Sequence, residues 1–171
     1  LGICDLIFDS VLDISLEDSF TGAEKILQLQ LPSNGTRQTS LKKIKVKIPK
    51  GVTDLQQIRL KGQGGAGVNS SSGDLYIEIH IKPHKLYKLK AKDLYLDLPI
   101  TPWEAALGAT ISVPTLTGSI NLKIPAGAAS GTKMRIKGKG LPAKEPGCLY
   151  VVISIVVPPV ESDAIKDLYK K

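Results

Sequence analysis

Apolar and polar residues alternate with a period of two along most of this chain. Lys43-Ile44-Lys45-Val46-Lys47-Ile48 alternates strictly, as does Leu75-Tyr76-Ile77-Glu78-Ile79-His80-Ile81. Leu94-Tyr95-Leu96-Asp97-Leu98 and Ile120-Asn121-Leu122-Lys123-Ile124 follow the same rule. Lys25 to Leu31 places Leu27, Leu29 and Leu31 on one side, with Gln28 and Gln30 on the other. This spacing predicts strands with one buried face. Glycines and prolines punctuate between them, so the pattern predicts an all-β fold of short antiparallel strands packed as small sandwiches. One segment breaks the rule. From Glu161 to Lys171, after Pro158-Pro159, Ala164, Ile165, Leu168 and Tyr169 fall on one helical stripe.

The chain also repeats itself. Ile48-Pro49-Lys50-Gly51 and Ile58-Arg59-Leu60-Lys61-Gly62-Gln63-Gly64 return as Ile124-Pro125-Ala126-Gly127 and Met134-Arg135-Ile136-Lys137-Gly138-Lys139-Gly140, at an offset of 76. Gly73-Asp74-Leu75-Tyr76 returns as Gly147-Cys148-Leu149-Tyr150, at 74. Upstream, Ile14 to Gly22 echoes Leu98 to Gly108, each read as a strand, a short helical turn capped by Ser15 or Thr101, and a glycine restart. Two copies are too few for a solenoid. They predict two tandem small β-sandwich domains of one fold, at 1–88 and 89–158, followed by a short C-terminal helix at 159–171.

With 171 residues, 42% hydrophobic and 23% charged, the chain can bury a core and is not a disordered tail. No apolar run approaches the roughly eighteen residues that a membrane-spanning helix needs. The start shows no signal peptide and no initiator Met, so the sequence reads as part of something longer. Cys4 and Cys148 stand far apart with no partner motif, which fits two unpaired thiols in a reducing cytoplasm.

The net charge of +7 is uneven: residues 1–40 hold two basic and six acidic side chains (−4), 41–94 twelve and four (+8), and 95–171 nine and six (+3). The middle reads either as solvated strand faces or as a surface for an anionic partner such as nucleic acid.

Three motifs suggest chemistry and fail on context. Gly62-Gln63-Gly64-Gly65-Ala66-Gly67 spells a dinucleotide fingerprint, but Val68 to Gly73 is loop-like and a strand follows, where a phosphate site needs a helix N-terminus. His80 and His84, the only histidines, are separated by Pro83 and have no acidic shell. No nucleophile sits in a recognisable catalytic pattern. No cofactor, metal or enzymatic activity is expected. The remaining feature is apolar: Leu27, Leu29 and Leu31 on one strand, and Leu12, Ile14 and Leu16 sharing parity on the strand before it. Both rows read as core. If these two strands pair, they also read as a strip beside an open sheet edge able to accept an extended peptide.

Together these residues resemble the C-terminal substrate-binding region of DnaJ-type co-chaperones. The resemblance is carried by Val46 to Val52, Ile58 to Gly64, Gly73 to Tyr76, Val113-Pro114-Thr115-Leu116 and Arg135 to Leu141, in family order. The run Pro102-Trp103-Glu104-Ala105-Ala106-Leu107-Gly108-Ala109 is closest to the curved-DNA-binding, CbpA, subgroup. The resemblance implies a protein that holds unfolded client polypeptides for a DnaK-type chaperone. It also implies a homodimer joined through the C-terminal helix (Ala164, Ile165, Leu168, Tyr169). No Cys-x-x-Cys lies between Leu31 and Leu41, which implies a zinc-free member. The His-Pro-Asp signature of the J-domain is absent from these residues. By position, the client groove would be Leu12, Ile14, Leu27, Leu29 and Tyr87. Lys25 would bind the partner chaperone's acidic tail, with Gln28 standing where some relatives carry Lys. The rival expectation is duplex DNA binding through Lys42, Lys43 and Lys45, with a nucleoid location. A third is a purely structural dimerisation fragment.

Overall fold

The structure, a computed structural model, describes residues 8–32, 39–63, 74–143 and 145–159. The elements are β1 (Phe8–Ile14), α1 (Leu16–Thr21), β2 (Ala23–Pro32), β3 (Thr39–Ile48), β4 (Gln57–Leu60) and β5 (Leu75–Ile81). Then come β6 (Tyr87–Lys90), β7 (Asp93–Ile100), α2 (Pro102–Leu107), β8 (Ala109–Thr115), β9 (Gly118–Ile124), β10 (Lys133–Lys137) and β11 (Cys148–Ile155). The expected helix at 159–171, with Ala164, Ile165, Leu168 and Tyr169, lies outside the described residues except for its first position.

The internal repeat is a repeat of topology. A sheet in the order β1-β5-β4 is matched by β10-β11-β7-β6, which contains β7-β11-β10 in the same arrangement. Each sheet is accompanied by a separate antiparallel hairpin, β2-β3 or β8-β9. The alternating patterns explain the two layers. Leu75, Ile77 and Ile79 are buried on β5, and Leu149, Val151 and Ile153 on β11, while their neighbours in sequence face outward. Val46 and Ile48 close the first core from the hairpin side, and Val113 and Ile124 the second.

One expectation is corrected and one open condition is decided. The strands are not all antiparallel: β1 runs parallel to β5, and β7 parallel to β11. The helix, the hairpin and a further strand lie between the members of each pair, and a connection of that length lets the chain return in the same direction. Nor does β1 pair with β2: it pairs with β5, and β2 with β3. Leu12 and Ile14 of β1 therefore meet Leu27 of β2 by packing in the first core, with no shared hydrogen-bond ladder.

The short helices turn each chain from sheet to hairpin. Ser15 caps α1: its Oγ accepts from the Asp18 N–H at 3.1 Å, and the Asp18 carboxylate accepts from the Ser15 N–H at 3.4 Å. In α2 the Glu104 carboxylate accepts from both the N–H and the hydroxyl of Thr101. Those bonds hold its carboxyl below the usual range. Ser15→Ala should lower stability by about 1 kcal/mol, read as a lower denaturation midpoint with unchanged m-value.

The two halves pack through α1. Leu16 and Phe20 join the core cluster of the second half. Glu17 pairs with His84 at 3.1 Å. Gly51, at φ +76°, lets the chain pass so close to the second half that an added Cβ would lie 2.4 Å from the Pro142 carbonyl oxygen. The expected boundary between residues 88 and 89 falls within β6, which pairs with β7.

Candidate polypeptide-binding edge

Leu12 and Ile14 project from β1 into the first core and are 8% and 1% exposed. Leu27, from β2, packs against the same cluster but is only partly buried. Leu29 follows on β2 opposite Lys42, and the side chains of both lie outside the described residues. Tyr87 is 5% exposed and belongs to the other cluster, where it stacks on His84 with ring centroids 5.0 Å apart. Burial pushes its phenol pKa up. The structure thus unites Leu12, Ile14 and Leu27, and sets Tyr87 across the junction beside a cavity of about 360 Å³ lined by Leu16, Ile81, Pro83, His84 and Leu89.

The repeat separates what the fold requires from what is particular to the first half. Ala23 opposite Ile48 corresponds to Ala109 opposite Ile124. Counting on from there, Leu27 corresponds to Val113, and Gln28 to Pro114. Leu12 and Ile14 correspond to Leu98 and Ile100, which are 8% and 2% exposed. Their burial is therefore common to both halves and reads as core. Leu27 differs: its counterpart Val113 is sealed at 0%. β2 also spans ten residues where β8 spans seven.

The proline reveals the direction of the backbone groups. In an antiparallel ladder alternate residues turn N–H and C=O toward the partner or away from it. Proline stays in such a strand where its missing N–H would have faced away. Pro114 holds its place opposite Ser119. The N–H of Gln28, opposite Lys43, therefore faces the side of β2 that no described strand pairs. Ile26 and Glu24 share that parity. So β2 offers outward-facing donors and acceptors next to a partly covered leucine, whereas β8, equally unpaired on that side among the described residues, lacks the donor at Pro114 and carries the sealed Val113 in the place of Leu27. The sequence signal for this difference was the Pro114/Gln28 mismatch between copies, visible only once the hairpins are aligned.

Lys25 is already engaged. Its ammonium lies 2.8 Å from Asp18, and that bond holds the Asp18 carboxyl below the usual range. An incoming carboxylate would compete with Asp18. On the outer side of the hairpin, Lys43, Lys45 and Lys47 are all exposed on β3, with Lys45 paired to Glu24. The side chain of Lys42 is not described. The matching outer positions of β9 are Ser119, Asn121 and Lys123. Ile26, which the periodicity did not single out because it shares parity with the polar residues, is 68% exposed on the same outer side.

The two histidines are tied to carboxylates: His80 Nε2 lies 2.8 Å from Glu78, which raises its pKa, and His84 pairs with Glu17. Among the described residues no group of three or more potential ligands is placed to hold a metal ion. Nor is any described helix long and apolar enough to cross a membrane.

The described residues form a duplicated unit of one sheet and one hairpin. The family model of the DnaJ C terminal domain matches residues 9–158, and the chain belongs to that family. Among its relatives, the "Curved DNA-binding protein" of Coxiella burnetii (strain RSA 493 / Nine Mile phase I) is 47% identical over 167 residues, 95% of this chain and 53% of the relative. The protein of that name from Escherichia coli (strain K12 / DH10B) is 43% identical over 164 residues, 92% of this chain and 54% of the relative. The chain spans about half the length of these relatives.

Proposed function

We propose that this chain is the polypeptide-holding part of a DnaJ-type co-chaperone, without catalytic activity of its own, and that it acts in the cytoplasm. The observation that carries this reading is the unpaired edge of β2 beside Leu27. An extended client segment adds as a strand along β2, satisfying the outward N–H and C=O groups, and sets apolar side chains against Leu27 and Leu29. Leu12 and Ile14 form the floor of that depression. Tyr87 bounds it from the junction. Each client side chain that becomes buried contributes about 1.5–3 kcal/mol before ordering costs, so one groove binds weakly. Dimerisation through Ala164, Ile165, Leu168 and Tyr169 presents two grooves to one client and adds avidity. Lys25 is the natural contact for an acidic chaperone tail, exchanging Asp18 for a carboxylate of the DnaK-type partner.

The test is suppression of aggregation of a chemically denatured client across a salt series. Apolar strand addition predicts suppression that holds or strengthens as salt rises. Suppression that falls away with rising salt would assign the binding to charge and remove the groove.

A second reading, duplex DNA binding, is favoured by one specific observation: the outer row Lys43, Lys45, Lys47 is present in the first hairpin and reduced to one lysine in the second. The printed name of the relatives points the same way. On this reading Lys42, Lys43 and Lys45 neutralise backbone phosphates, and affinity falls steeply with salt.

A further inference from the structure

The solvent face of the four-stranded sheet carries a second arrangement that the client groove does not use. Across its strands run four residues in register: Arg135 on β10 opposite Tyr150 on β11, Tyr150 opposite Tyr95 on β7, and Tyr95 opposite Lys88 on β6. The two tyrosine rings stack with centroids 5.0 Å apart and planes 16° apart. The Lys90 ammonium lies over the Tyr95 ring, 5.1 Å from its centroid. Along the β10 edge, Lys133, Arg135 and Lys137 all face solvent, and none has an ion-pair partner among the described residues. Aromatic residues thus occupy the two central strands and cations the two edges.

The fold does not require this arrangement. In the first half the register partner of Tyr76 is Asp9, in the place of Tyr95. Asp74 and Glu78 stand where the second half has Cys148 and Val152. Arg59, the counterpart of Arg135, donates from Nε to Asp74 at 2.6 Å. Asp9 and Asp74 of the first copy have thus become a tyrosine and a cysteine, while the Glu78 carboxylate has moved across the ladder to Asp97, which pairs with Lys88 at 2.8 Å.

We propose that this face binds single-stranded nucleic acid. Strands spaced about 4.8 Å apart make it roughly 14 Å wide. In one class of RNA-binding module a four-stranded sheet with aromatic residues stacks two or three bases. Lys90 lies over the Tyr95 ring, and Arg135 stands opposite Tyr150 in register. Lys90 can swing to a phosphate while a base takes its place against the ring, with Arg135 available to a neighbouring phosphate, so stacking and charge act together. A duplex hides its base faces and would use only the cations, and an acidic peptide has no bases to stack. The inference does not rest on the client groove, which is centred on β2 and meets this sheet only at Tyr87 of β6.

The test is fluorescence anisotropy with a short labelled oligothymidylate, beside a hairpin duplex of equal charge and polyglutamate. The oligothymidylate is expected to bind more tightly than either. Tyr95→Leu with Tyr150→Leu should weaken it about tenfold or more and leave duplex binding unchanged. Arg135→Ala, at an exposed position where the fold is safe, should weaken it about threefold to tenfold and flatten the salt dependence by about one phosphate contact. It should leave client aggregation suppression untouched. Three results would each overturn the proposal: equal binding of all three probes, a normally melting tyrosine variant with unchanged affinity, or Arg135→Ala with unchanged affinity and salt slope. If the tyrosine variant does not fold, Arg135→Ala decides alone.

Discussion

Gln28→Pro is expected to leave the fold intact and weaken client binding about tenfold. The fold survives because the second half carries Pro114 at the same register, opposite Ser119, within a ladder that stays paired. Binding suffers because the lost N–H is one that faces the open side of β2, where an added strand would find its donor. One such bond contributes about 0.5–1.5 kcal/mol net, and the ring also crowds the approaching backbone. Gln28→Ala removes the side chain and keeps the N–H, and should bind as the parent does. Aggregation suppression and peptide anisotropy on the three proteins measure the difference. If the proline variant melts normally and binds like the alanine variant, β2 is not the acceptor strand. Leucine substitutions are less informative, since Leu27 packs on the first core and its loss confounds binding with stability.

Gly147→Ala should be among the most damaging single-methyl changes in the chain. A Cβ there would lie 1.9 Å from the Lys92 carbonyl oxygen. That carbonyl cannot retreat without loss, because it accepts from the Leu141 N–H at 3.0 Å. Gly147 is itself fixed on both sides: its N–H donates to the Leu141 carbonyl, and its carbonyl accepts from the Gly140 N–H, both at 3.0 Å. Relief requires moving the β6–β7 turn or the start of β11, at a cost of about 3 kcal/mol or more. The lone Trp103, 50% exposed on α2, reports on this half. Its fluorescence transition should move down by about 6 °C or more. A shift under about 2 °C would show that the approach of these backbones relaxes at little cost.

The repeated glycines illustrate what sequence could and could not reveal. Their recurrence at matched offsets identified two copies of one unit, and the loop-like residues after Gly67 argued against a nucleotide site. That Gly147 is pressed against Lys92 while Gly138 has open space around it could not be read from the motif. Residues distant in sequence set that difference. The same holds for the leucine rows. Periodicity showed which residues share a face, and it correctly made Leu12 and Ile14 inward-facing. It could not say which strand pairs with which, and the idea that β1 pairs with β2 failed because hydrogen-bond partners are chosen by topology. Nor could it show that Lys25 is occupied by Asp18, a contact made only when α1 folds back toward β2.

The sequence by itself determined the all-β class, the duplication, the helix caps and the alternation that puts one face of each strand inside. These follow from local rules: side chains alternate along a strand, and a serine or threonine ahead of a short helix satisfies its free N–H groups. Tertiary structure alone decided the parallel pairing of β1 with β5, the free side of β2, and the line of Arg135, Tyr150, Tyr95 and Lys88 across four strands. Those features join residues dozens of positions apart, and their energies are gained only after the chain has closed on itself.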